Sequence, residues 1–142
     1  MDQIRCRFHY PLQVRFADTD AQGHVFFGTY FTYLDEGLMA YLRNLGFPVK
    51  ALLKMGVDMF YVDAHCQFKA SATFEEMLHV HARIGRIGNS SLTAELAIYK
   101  AENGELLATG ELTAVIIDVE TRRPVPVPDK LRAAIASYEG TG

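Results

Sequence analysis

From Ile4 to Phe16 the chain alternates between apolar and polar positions. Ile4, Cys6, Phe8, Tyr10, Leu12, Val14 and Phe16 take one side, and Arg5, Arg7, His9, Gln13 and Arg15 take the other. That period predicts a half-buried strand. Pro11 falls on the polar side and removes a ladder donor, which marks an edge, a bulge or a break. The period then changes. Phe27, Tyr30, Phe31, Leu34, Leu38, Tyr41, Leu42 and Leu45 recur at helical spacing and predict one long helix from Phe27 to Leu45. Gly46 and Pro48 stop it. The stretch from Phe47 to Asp58 predicts a short helical turn or covering loop. Strand periodicity returns four times. Phe60, Val62, Ala64, Cys66 and Phe68 share one face; Leu78 to Ile84 and Leu92 to Ile98 alternate in the same way; Leu106 to Val119 is longer, with a partly apolar second face. Glu102-Asn103-Gly104 is a strong hairpin signal between the last two. Gly85, Gly88 and Asn89 supply the turn before Leu92. Thr121 to Pro128, with prolines at alternate positions, reads as an extended connector to a short helix bearing Leu131, Ala134, Ile135 and Tyr138.

One sheet and one long apolar helix must cover each other. The simplest arrangement is an α+β domain spanning residues 1–142, with about five antiparallel strands wrapped around one central helix. Tyr61, Val115, Ile117 and Val119 then place apolar groups on the outer parity, which a homo-oligomer would bury. A formal net charge of −3 argues against a general nucleic-acid binder. No apolar run is long enough to span a membrane, and the first residues lack the apolar core of an export signal. Cys6 and Cys66 lie far apart on apolar parities and read as small buried thiols of a cytoplasmic protein.

Chemistry concentrates between the first strand and the long helix, in Asp18-Thr19-Asp20-Ala21-Gln22-Gly23-His24-Val25-Phe26-Phe27-Gly28-Thr29-Tyr30. A helix start exposes N–H groups with no intrahelical partner. Val25, Phe26, Phe27 and Gly28 have no side chain able to cap them, so the amides of Phe27 and Gly28 stay open to a carbonyl oxygen gaining negative charge. Gly28 would also let such a ligand approach the backbone. If the turn folds back over the helix, the Asp20 carboxylate faces the same carbonyl, an arrangement suited to acyl transfer. The competing reading makes Asp18 and Asp20 turn formers that bond their own backbone.

This stretch, with a strand before it and a helix after it, resembles the signature of the 4-hydroxybenzoyl-CoA thioesterase family, the hotdog-fold acyl-CoA thioesterases. The Gly88-Asn89-Ser90-Ser91 turn and the Arg123-to-Pro128 tail extend the likeness over nearly the whole chain. The resemblance implies an acyl-CoA substrate, Asp20 as the catalytic carboxylate, and the backbone N–H of Phe27, with that of Gly28, as the oxyanion hole. It implies further that Gly23, His24, Phe26 and Tyr30 meet the substrate, His24 by positioning the turn or lining the site. Many relatives carry Asn where this chain has Phe26 or Phe27, so a backbone role carries over and an amide side-chain contact does not. Relatives are dimers or tetramers with sites at the dimer interface. No metal or other cofactor is implied. Asp20 acts either as a nucleophile or as a general base for water, and activity falls as it becomes protonated.

Other candidates are weaker. His79 and His81 share a strand face, but no third ligand accompanies them in sequence. His65 and the pair Asp35 and Glu36 read as surface groups, unless a partner subunit covers the helix carboxylates. No Gly-x-Ser-x-Gly elbow supports a serine triad. Arg83, Arg86, Arg122, Arg123 and Lys130 are the bases available to CoA phosphates. Two rival functions remain: a hotdog hydratase or dehydratase using Asp20 and His24, and a non-catalytic acyl-thioester binder.

Overall fold

The computed structural model describes residues 6–140, so Ile4 and Arg5 of the first alternating run lie outside the described residues. The strands are β1 (Phe8–Gln13), β2 (Val57–Phe68), β3 (Met77–Ile87), β4 (Ser91–Lys100) and β5 (Leu106–Asp118); the helices are α1 (Thr29–Asn44), α2 (Val49–Lys54) and α3 (Asp129–Glu139). All strand pairings are antiparallel, in the order β1-β3-β4-β5-β2. The sheet packs around α1, whose Leu34, Leu38, Tyr41 and Leu42 are buried against Leu78, Val80, Leu96 and Ile98. At about 25 cal/mol per Å², this shared apolar burial is the main favourable term holding sheet and helix together. The predicted α+β wrap is the architecture found.

Three local readings change. The alternation of β1 holds through Val14 but not at Phe16, which is 75% exposed, because the chain turns into a 3-10 turn at Phe16–Asp18. The four later strands do not all pair in chain order. β3-β4-β5 do, with the Glu102-Asn103-Gly104 turn joining β4 to β5, but β2 crosses to the far side of β5 and β3 pairs with β1. The third change lies within β2. A bulge between Tyr61 and Asp63 shifts the register by one residue, and a one-residue slip exchanges the faces of every side chain beyond it. Tyr61 therefore points toward α1, where its hydroxyl donates to Asp35 Oδ1 at 2.6 Å, while Phe60 lies on the other face under the Arg122 guanidinium. Asp35 is half-buried as a result, and only Glu36 of that pair is exposed.

The apolar surface left uncovered also differs from the expected set. Ile117 is 3% exposed, because the proline-rich connector crosses it at Pro124. Tyr61 of that set is 41% exposed as expected, and it is joined along β2 by Phe60, Val62 and Phe68.

Gly37, mid-way along α1, fits against β3 because it has no side chain. A Cβ there would run into Val80 Cγ1 and come within 3.4 Å of Leu96 Cδ2. Val80 is β-branched and fully buried, so it cannot swing aside. Overpacking costs about 1–3 kcal/mol, against about 1 kcal/mol gained when Ala replaces a helical Gly. Gly37→Ala will therefore lower the thermal midpoint, measured by circular dichroism or calorimetry; an unchanged or raised midpoint would contradict this packing.

Candidate active site

Two segments build the site. One is the turn from Asp18 to Gly28, the other the link from β2 to β3. Asp20 N–H donates to the His24 carbonyl at 2.9 Å and Gly23 N–H to the Asp20 carbonyl at 2.9 Å, closing a tight turn in which Gly23 adopts φ of +86°. An L-residue with a side chain rarely occupies that region. Gln22 N–H donates to Asp20 Oδ1 at 2.9 Å. Asp20 is therefore a turn former through one oxygen, while Oδ2 has no hydrogen-bond partner among the described residues. The β2–β3 link presses against this turn: Val25 N–H donates to the Ala72 carbonyl at 2.9 Å, and His24 bridges to Thr73.

The start of α1 lies across from Asp20. Gly28 is the N-cap, and no side chain caps the helix. Thr29, Tyr30 and Phe31 donate to the carbonyls of Phe26, Phe27 and Gly28, whereas the N–H groups of Phe27 and Gly28 have no acceptor among the described residues. Uncapped amides carry the partial positive charge of a helix N-terminus. Phe27 shares one cavity with the carboxylate, and Gly28 follows it in the chain. Asp20, Gln22, His24, Val25, Phe27, Tyr30, Phe68, Ala70 and Ser71 line a space of about 200 Å³.

Of the residues singled out in the sequence, Asp20, His24, Phe27 and Tyr30 meet in this cavity; Gly23, Phe26 and Gly28 lie beside it. Gly28 is not a gap for a ligand. A Cβ there would come within 2.7 Å of Phe26 Cε2, so the Phe26 ring occupies that space. Tyr30 is 3% exposed, and its hydroxyl accepts the Ala72 N–H at 3.2 Å, which ties it to the β2–β3 link. Burial pushes its ionisation up, partly offset by the Ala72 amide. The rings of Phe68, Tyr30 and Phe27 form an aromatic wall, with Phe68 5.5 Å from Tyr30 and 6.1 Å from Phe27. Gln22, Phe68, Ala70 and Ser71 escaped the sequence reading. Phe68 had only its strand parity as a signal, and Ala70 and Ser71 reach the site only through the fold.

Asp18 shows the opposite behaviour to Asp20. It is 3% exposed, and its carboxylate accepts the Arg15 backbone N–H at 2.9 Å, Arg15 Nη2 at 2.9 Å and the Tyr33 hydroxyl at 2.9 Å. Burial alone would push this carboxyl up, but the Arg15 and Tyr33 donors outweigh it and hold Asp18 below the usual carboxylate range. A carboxyl depressed in the folded state contributes stability that is present above its unfolded value and lost as pH falls through its folded value. The gap in thermal midpoint between wild type and Asp18→Asn will therefore be widest near neutral pH and shrink in acid below about pH 4. A gap independent of pH would contradict the ion pair.

The remaining candidates sit elsewhere. His79 and His81 lie on the outer sheet face with His9, whose ring is 4.5 Å from His79 and 5.1 Å from His81; no group able to hold a metal occurs among the described residues. His65 is exposed between Asp63 and Glu111. Arg83 is committed to Glu95 at 2.7 Å, and Arg86 donates to Thr93, whereas Arg122, Arg123 and Lys130 are exposed. Cys6 and Cys66 are unpaired and half-buried, and burial pushes both thiols up to about 11.

The five-strand antiparallel sheet folded on one helix is the architecture of the hotdog thioester hydrolases, and similarity to known members places the protein among them. The chain belongs to the thioesterase-like superfamily, whose family model matches residues 14–135. It is 28% identical over 126 residues to the acyl-CoA thioester hydrolase YbgC of Escherichia coli, covering 89% of this chain and 93% of that protein. It superposes on a 1,4-dihydroxy-2-naphthoyl-CoA thioesterase from Synechocystis with a TM-score of 0.84 at 27% identity, covering 91% and 95% of the two chains. A gentisyl-coenzyme A thioesterase matches with a TM-score of 0.82 at 31% identity, over 91% of this chain and all of the other. No helix among the described residues is long and apolar enough to cross a membrane.

Proposed function

We propose that this chain, read as one domain, hydrolyses the thioester of an acyl- or aroyl-CoA to the free acid and CoA, with Asp20 as the catalytic carboxylate and the Phe27 and Gly28 amides as oxyanion donors. The observation that carries this reading is the pairing of an unpartnered Asp20 Oδ2 with unpartnered amides at the α1 start, around one cavity. Water attacks the carbonyl carbon and gives its proton to Asp20, or Asp20 itself attacks and forms an anhydride that water then opens. In both routes the carbonyl oxygen becomes an anion facing the helix amides, which need no reorganisation to receive it. The C–S bond then breaks, and CoA leaves as its thiolate and takes up a proton. Gly23 and His24 hold and border the turn, Tyr30 forms part of the aromatic wall against which the acyl group rests, and Phe26 packs on Phe27 of that wall. The test is thiol release from a panel of short, long and aromatic acyl-CoA esters. Consumption of an enoyl-CoA without thiol release would favour a hydratase, and binding without turnover a binding module.

The protein works as a homo-oligomer, a dimer alone or paired into a tetramer. The support is the free edge of β2, which pairs with β5 on one side and exposes Phe60, Val62 and Phe68 along its length. Two such edges joined about a two-fold axis would continue the sheet and cover these groups. The two unpaired thiols fit a reducing cytoplasm.

A further inference from the structure

Asp18 touches both halves of the site without lining it. Its backbone carbonyl accepts the Phe26 N–H at 2.9 Å, one residue before the first open amide of the helix start. Its carboxylate accepts the Tyr33 hydroxyl, one helical turn into α1, and three donors of Arg15, its backbone N–H, Nε and Nη2, where the chain leaves β1. Asp20 follows two residues later. The loop that carries the carboxylate and the helix that carries the open amides are thus tied together at one residue. Other bonds brace the turn itself, among them the Thr19–Val25 bridge and the Asp20 N–H to the His24 carbonyl, but α1 has no capping side chain, and the Asp18 carboxylate ties the turn to Tyr33 inside that helix.

We propose that Asp18, acting with Arg15 and Tyr33, is a positioning residue that sets the separation between Asp20 and the oxyanion amides. All the groups bonded to its carboxylate are donors, so a charged, acceptor-only side chain is the one that satisfies them together. An amide at this position turns an NH₂ toward one of those donors. The nearest consequence is rotation of the turn at Thr19 and Asp20 relative to the start of α1. A misplacement of about 1 Å at a reacting group costs about a hundredfold in rate, with much less effect on substrate binding.

This inference rests on the assignment of Asp20 above, and the test separates the two. Hydrolysis is measured for wild type, Asp18→Asn, Tyr33→Phe, Asp20→Asn and the Asp18→Asn/Asp20→Asn double variant, with kcat and KM resolved and thermal midpoints recorded. Asp18→Asn is expected to lower kcat about ten- to a hundredfold with KM changed less than about threefold. Tyr33→Phe removes one hydrogen bond, keeps the ion pair and is expected to lose about three- to tenfold in kcat; it also serves if Asp18→Asn does not fold. In the Asp20→Asn background the Asp18 substitution is expected to add almost nothing, because the group it positions is already gone. The same fold-loss in both backgrounds, or a loss confined to KM or to the thermal midpoint, would overturn the positioning role and leave Asp20 in place. Full activity of Asp20→Asn would instead remove the assignment on which the inference rests.

Discussion

Asp20→Asn will reduce acyl-CoA hydrolysis by about 10²- to 10⁴-fold while leaving the fold and ligand binding in place. The two side chains are nearly isosteric, and Asn keeps the one oxygen that accepts the Gln22 N–H, so the Asp20–Gly23 turn persists. What disappears is the negative charge on the oxygen that has no hydrogen-bond partner among the described residues. An amide neither accepts a proton from water at neutral pH nor attacks a thioester. The measurement is thiol release under saturating ester, beside the thermal midpoint and the affinity for a non-hydrolysable CoA thioether. A large loss in kcat with the other two unchanged supports the assignment. Equal rates for both proteins would remove Asp20 from the chemistry, and an equal loss of binding would make it a binding group.

The second large effect concerns assembly. If the protein assembles as proposed above, Val62→Lys is expected to leave a species of 15.9 kDa and to reduce activity at least about tenfold at sub-micromolar protein. Val62 is 60% exposed and sits in the bulge of β2, one of the two edge strands of the sheet. A lysine on an edge strand is a device natural sheets use to prevent pairing. Two such charges facing each other across a two-fold axis cost several kcal/mol, and about 1.4 kcal/mol is tenfold in an association constant. Activity falls as well, because Phe68 of the same strand lines the cavity, and its outer side stays open in a lone protomer. Mass by light scattering decides the point. A variant that keeps the wild-type mass would place the interface elsewhere, and a monomer of full activity would show that one protomer holds a complete site.

Much of the architecture and the core of the candidate site are legible along the chain, for a physical reason. Helix and strand faces are periodic, so the long apolar helix, the alternating strands and the Asn103-Gly104 hairpin can be read from spacing alone. The order of residues from Asp18 to Tyr30 is likewise local: carboxylate, glycine turn and uncapped helix start lie within one short segment, and their chemistry follows from residue type. Features that depend on contacts between distant segments could not be read this way. A single bulge in β2 reversed the faces of Phe60 and Tyr61 and drew Asp35 inward. The crossing of β2 to β5 moved the uncovered apolar surface to a sheet edge, and the connector at Pro124 buried Ile117. Asp18 and Asp20 look alike in sequence, yet one is enclosed by Arg15 and Tyr33 and the other opens onto a cavity walled by Phe68. Periodicity and residue chemistry belong to the chain itself, whereas which carboxylate is enclosed and which is left free is decided only when α1 and the β2–β3 link close over the turn.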